Sequence, residues 1–135
     1  TGQKAPGFSF NSDGKTVALA NIDVPYTIII FWASTCPHCI ETLPEVHKLY
    51  QQQKAKKFEV VAISLDMNKA EYETYLNKQK FSWISYCDFM GWDGKIAADY
   101  SVYATPTMIL LDKDKRVIAK PTSFPELMDE LKGIL

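Results

Sequence analysis

Two cysteines, Cys36 and Cys39, stand in the stretch FWASTCPHCIETLP with Pro37 and His38 between them. Thiols at this spacing can close on each other as a disulfide. Alternatively, one can attack a foreign disulfide while the other completes the exchange. The residues before them, TIIIFW, form a continuous apolar, β-rich run, and those after them follow a helical pattern. Cys36 is therefore expected at or near the first residue of a helix. Pro37 suits that first turn, where its missing N–H would have no partner. A sulfur at this end faces free backbone N–H groups and the positive end of the helix dipole, and both favour thiolate over thiol. Cys39 lies one turn further on, on the buried face. The expectation is that Cys36 attacks and Cys39 resolves. An imidazole at His38 could add to the stabilisation of the Cys36 thiolate by charge or hydrogen bonding.

Other chemistries compete for the pair. Free cysteine is among the most buried residue types, so both could be core filling. Against this, C-x-x-C between a strand and a helix is itself a redox signal. A structural zinc needs four ligands, usually with a second C-x-x-C or a histidine pair. The only histidines are His38 and His47, and no second pair exists. No metal and no cofactor is expected. Cys87, at the end of SWISYC, reads as a strand-end core residue rather than a third redox thiol. His47 reads as a solvated residue on a helix flank, and KAKK at Lys54 to Lys57 as a solvated helix end. Of the aromatics, Trp32 is the better candidate for a substrate groove. Phe89, beside Met90 and Trp92, reads as core.

The elements that must position the pair follow from hydrophobic spacing. FSFNSDGKTVAL reads as a hairpin about Asp13–Gly14. TIIIFW and FEVVAISL read as central strands covered on both faces. Cys39, Leu43, Val46 and Tyr50 share one face of the helix after the cysteines, and Pro44 within it should produce a kink. A second helix runs roughly from Lys69 to Gln79, with Tyr72, Tyr75 and Leu76 on one side. WISYC is a short strand and KIAADY a short helix. TMILLD and RVIAK pair across Lys113–Lys115. Phe124, Leu127, Met128 and Leu131 mark a last amphipathic helix. This order predicts an α/β sandwich, parallel in its first half and closed by an antiparallel hairpin.

With 135 residues, 47% of them hydrophobic, the chain is long enough for a core of its own and is expected to form a single domain over 1–135. A net charge of -1 supplies no attraction for nucleic acid or an anionic membrane surface. No apolar run approaches the ~18 residues of a membrane span. The sequence begins at Thr1 rather than Met and reads as a mature or trimmed fragment, so any membrane attachment would come from a segment outside it. Three cysteines leave at least one unpaired within a monomer, which excludes a disulfide-stapled scaffold.

Four stretches together resemble the thioredoxin superfamily, and within it the extracytoplasmic TlpA/ResA-like branch, over nearly the whole chain. KAPGFSF with DGKTVALANI is similar to the N-terminal hairpin that such proteins add before the thioredoxin core. FWASTCPHCIETLP resembles the cysteine motif, VVAISLD the strand after it, and YSVYATPTMILLDKDKRVI the segment that carries a cis-proline. The resemblance implies a thioredoxin-like three-layer sandwich: a central mixed sheet of about four strands, helices on both faces and an N-terminal β-hairpin extension. It also implies that Thr105 and a cis Pro106 lie beside Cys36, with Thr105 offering backbone groups to an extended substrate peptide. On its own residues, Pro106 reads as a strand-start proline with a trans bond.

The implied activity is thiol-disulfide exchange with protein thiols and disulfides, assisted by a redox partner protein and no cofactor, in a periplasmic or envelope-associated location. Two positions depart from the pattern. Relatives place an acid six residues before the first cysteine or three after the second. Here those positions hold Ile30 and Thr42, while Glu41 is rotated about 100° away on the helix. A thiol-peroxidase reading, prompted by the redoxin-like N-terminus, meets Ala33 where a peroxidatic site usually carries Thr or Ser. A binding or metal-carrying module with a vestigial dithiol is the other rival. The TlpA/ResA likeness argues for a reductant, whereas the Pro-His dipeptide resembles that of the periplasmic disulfide oxidase.

Overall fold

Burial on both faces puts the two most apolar runs at the centre of the sheet. In the computed structural model, residues 2–12, 14–53 and 56–133 are described. They form β1 (Ser9–Ser12), β2 (Lys15–Ala18), β3 (Tyr26–Trp32), α1 (Pro37–Gln52), β4 (Phe58–Ser64), α2 (Lys69–Gln79) and β5 (Ile84–Cys87). These are followed by α3 (Lys95–Asp99), β6 (Thr107–Leu111), β7 (Val117–Ala119) and α4 (Phe124–Lys132). Every residue of β4 is buried, as is all of β3 except Tyr26. Such strands survive only where helices or loops cover both sides.

The main sheet runs β5-β4-β3-β6-β7. β3, β4 and β5 are parallel, β6 is antiparallel to β3, and β7 is antiparallel to β6. This is the mixed thioredoxin-like sheet expected, with five strands rather than four. WISYC adds an edge beside β4, and RVIAK folds back on β6 to form the other edge. β1 and β2 make the separate N-terminal hairpin. Asp13, half of its expected turn, lies outside the described residues, as do Lys54 and Ala55 of the expected basic helix end.

The period of two along β3 divides the core. Ile28, Ile30 and Trp32 pack with Cys39, Leu43 and Val46 of α1, Tyr72 of α2, and Leu127 and Leu131 of α4. Ile29 and Phe31 face the other way, toward Ile96 and Ala97 of α3, Phe10 of the hairpin and Leu19 just after it. Full burial of each such side chain contributes about 1.5–3 kcal/mol. The hairpin is held to the sheet edge by Phe10, which stacks on Tyr86 at 4.2 Å.

α1 carries the cysteines and continues as one helix through Pro44. One expectation on it fails. His47 is not solvated: it is 7% exposed and wedged edge-on between Phe81 and Trp83, at ring distances of 5.0 and 4.9 Å. Its Nε2 accepts the Ser82 amide at 2.9 Å. His47 follows Val46 on the buried side of the helix. The Phe81–Trp83 segment closes over it, a contact across 35 residues that helical spacing alone does not reveal.

Candidate active site

The chain leaves the sheet at Trp32, turns through Ala33–Thr35 and enters α1 with Cys36 as its N-cap. At this position the first amides of the helix have no backbone acceptor, so the Cys36 sulfur takes that role. It accepts the Cys39 amide at 3.2 Å. Its thiol points at the Thr105 carbonyl oxygen 3.6 Å away, and the Thr105–Pro106 bond is cis. That contact spans 69 residues and is made by the sheet: Thr107, the first residue of β6, pairs with Phe31 of β3. Pro106 thus reaches the end of β3 where the cysteines begin.

The two thiols have opposite environments. Cys36 is part-exposed and Cys39 is 0% exposed, and neither is in a disulfide. Burial alone would push the Cys36 thiol up. Hydrogen bonds from the Cys39 and Thr105 side chains and from the Cys39 and His38 backbone amides outweigh it, so its pKa is lowered. Burial, reinforced by the Cys36 sulfur, pushes the Cys39 thiol up to about 12, against the opposing Ala33 amide and Thr105 side chain. The arrangement favours the thiolate at the part-exposed Cys36 and the protonated thiol at the buried Cys39.

The other expected site residues divide. Pro37 and His38 are exposed at the start of α1; the contact of His38 with the sulfur is through its amide. Thr105 and Pro106 are half-buried beside Cys36. Trp32 requires correction: it is 0% exposed and cannot line a groove. In phase with Ile28 and Ile30, it points beneath α1 and is ringed by Tyr72, Tyr75 and Phe81 at 6.0, 5.3 and 6.5 Å. Among the described residues, the large apolar side chains that do reach solvent are Met67, Met90, Trp92 and Tyr103, the last 91% exposed. They lie just after β4, just after β5 and ahead of β6, at the end of the sheet that carries Cys36.

Phe89 packs against Tyr72 at 5.6 Å, as expected of a core residue. Cys87 ends β5 on the far side of β4 from β3 and donates to the Asp66 carbonyl at 3.3 Å. Burial pushes its thiol up. Ile30 and Thr42 are both buried and bring no acid to Cys39, while Glu41 is exposed. Among the described residues, no three His, Cys, Asp or Glu side chains gather to hold a metal.

Sequence reasoning missed the trio of Ser34, Ser64 and Asp66. Asp66 is 4% exposed and its carboxylate accepts from both serine hydroxyls. Its one signal in the sequence is an acid closing the apolar strand VVAISLD, which also describes an ordinary turn.

The chain matches the redoxin family over residues 1–127. The thiol-disulfide oxidoreductase ResA of a Bacillus cereus strain is 27% identical over 135 residues, covering 99% of this chain and 76% of that protein. A solved thiol-disulfide oxidoreductase from Bacteroides fragilis superposes with a TM-score of 0.84 at 32% identity, covering 98% of this chain and 100% of that one. The thioredoxin domain of a thiol-disulfide oxidoreductase from Bacteroides vulgatus gives a TM-score of 0.85 at 22% identity, covering 98% and 96%, a likeness of fold. With a cysteine-capped helix set against a cis-proline loop on this fold, the chain belongs to the redoxin family, as a ResA-like member of the thioredoxin superfamily.

Proposed function

We propose that this chain is a thiol-disulfide oxidoreductase that exchanges electrons with protein cysteines through Cys36 and Cys39. One observation carries the reading: a part-exposed sulfur caps α1, accepting the Cys39 amide at 3.2 Å and facing the Thr105 carbonyl, with a second, fully buried cysteine one turn behind it. The Cys36 thiolate attacks one sulfur of a substrate disulfide. The substrate S–S bond breaks, its second sulfur leaves as a thiolate, and a mixed disulfide forms. Cys39 then loses its proton and attacks the Cys36 sulfur, which frees the remaining substrate thiolate. The substrate gains two electrons and two protons, and the chain closes its own disulfide. In the oxidised chain the same steps run in reverse, and a partner protein resets the pair.

Thr105 serves an extended substrate segment with its backbone groups, beside the sulfur its carbonyl already faces. The exposed Met67, Met90, Trp92 and Tyr103 surround the same end and suit a protein substrate rather than a small thiol. The unit that does this is a single domain over 1–135. The TlpA/ResA likeness supports an extracytoplasmic place for it; no helix among the described residues is long and apolar enough to cross a membrane. Insulin reduction tests the function. The wild type should catalyse it, Cys36→Ser should not, and Cys39→Ser should accumulate mixed disulfides through Cys36. Limiting iodoacetamide should label Cys36 ahead of Cys39 and Cys87. Full activity in Cys36→Ser, or peroxide consumption without disulfide reduction, would overturn the reading.

A further inference from the structure

Asp66 follows β4 by two residues, and no salt bridge reaches it among the described residues. Neutral donors surround its carboxylate instead. The Ser34 amide lies 3.1 Å from both Oδ1 and Oδ2, the Ser34 hydroxyl donates to Oδ1 at 2.7 Å, and the Ser64 hydroxyl donates to Oδ2 at 2.5 Å. Ser64 Oγ in turn accepts the Asp66 amide at 2.9 Å. A buried carboxylate persists only when hydrogen-bonded in this way.

The geometry has a consequence for the thiols. The β3–β4 ladder extends by one step, with the Leu65 amide bonded to the Trp32 carbonyl at 2.7 Å. Beyond that point the chain turns off the sheet and the Ser34 amide has no strand partner. The Asp66 side chain supplies one. Ala33, held between these two anchors, touches both reactive residues. Its carbonyl accepts the Cys36 amide at 3.1 Å, and its amide is the backbone group that opposes the upward shift of the Cys39 thiol.

We propose that Asp66 is a positioning residue for thiol-disulfide exchange: by gripping the amide and hydroxyl of Ser34 it fixes the Ala33–Ser34 backbone against Cys36 and Cys39. This rests on the Cys36–Cys39 reading above. Its effect falls mainly on the second step. The Cys36 sulfur takes its amides from the first turn of α1 itself, whereas Cys39 takes one from Ala33 and receives no acid from its own helix. Loosening the Ala33–Ser34 turn therefore removes a hydrogen bond from the resolving thiolate and leaves capture of the substrate nearly intact.

Single-turnover kinetics on a disulfide-bonded protein substrate separate the two steps, by quenching for the mixed disulfide and for released substrate. Asp66→Ala should slow release about tenfold, the loss of one hydrogen bond to a charged group, and change capture less than about twofold. Ser34→Ala, which keeps the amide contact, should act in the same direction but less. The double variant should be no slower than Asp66→Ala alone, because the two act as a unit. If Asp66→Ala does not fold, Asp66→Asn and Ser34→Ala carry the same test. A lowered melting temperature with unchanged release in the folded protein would make Asp66 a structural staple and overturn the proposal. Exchange that survives Cys36→Ser would instead overturn the reading on which it rests.

Discussion

The Cys39 amide donates to the Cys36 sulfur at 3.2 Å, so in the proposed exchange the resolving residue would help to activate the attacking one through its backbone. Its side chain acts in the same sense, as the Cys39 thiol is among the donors that lower the Cys36 pKa. The same bond is among the causes that raise Cys39, so activating one thiol restrains the other. In the proposed exchange this predicts a fast first step and a slower second one.

That imbalance should appear as a pH dependence. With the Cys39 thiol near 12, its thiolate fraction rises about tenfold per pH unit between pH 7 and 9. Release of substrate from the mixed disulfide should rise in parallel, while its formation rises less. Thr42→Glu places a carboxylate one turn from Cys39 on the same buried face, where burial raises the acid's own pKa toward neutrality. It should speed release several-fold at pH 7 and flatten the pH profile, at a stability cost of about 1–2 kcal/mol. Stopped-flow measurements across pH 6 to 9 check both; a flat wild-type profile would show that Cys39 already has a proton acceptor.

Among the hydrogen bonds that lower the Cys36 pKa the smallest comes from the His38 amide and none from its ring, and the two can be separated by substitution. His38→Ala keeps the amide; His38→Pro deletes it at a position where the first turn of a helix tolerates proline. The proline variant should hold the reduced state less well and shift the potential more negative, with ~30 mV for each ~1.4 kcal/mol. The alanine variant should shift it less. Equilibration with glutathione measures both, and a larger shift in the alanine variant would return the role to the imidazole.

Burial lowers the pKa of His47, and its neutral Nε2 accepts the Ser82 amide. A depressed folded-state pKa contributes stability that is present above the unfolded value of about 6.5 and is lost as pH falls through the folded one. Denaturant unfolding should therefore show wild-type stability falling below pH 6.5 by up to about 1.4 kcal/mol per pH unit more than in His47→Gln. Equal slopes in the two proteins would mean that the ring is not the acid-sensitive group.

Tyr75 packs on Trp32, and its hydroxyl is buried with no hydrogen-bond partner among the described residues. Such a group forfeits the bond it would make with water. Tyr75→Phe should keep the ring contact and stabilise the protein by about 1 kcal/mol, raising its melting temperature. Destabilisation of that size would show that the hydroxyl has a partner, bound water included.

The sequence by itself determined what depends on local order. Apolar runs and helical spacing located the strands and helices, and the C-x-x-C at a strand-to-helix junction was enough to distinguish a part-exposed thiol from a buried one. Those features depend on backbone amides and side-chain phase within about one turn of the cysteines. The tertiary structure decided what depends on partners far along the chain. Only β3–β6 pairing brings Thr105 and Pro106 against Cys36, and on its own residues Pro106 reads as a trans strand-start proline. Trp32 and His47 were misplaced for the same reason: whether a side chain at the end of a strand or the flank of a helix meets water depends on which segment closes over it. Asp66 was invisible because an acid after a strand is ordinary. It becomes a buried anchor only when the turn before Cys36 supplies donors for its carboxylate, and that turn lies 32 residues away.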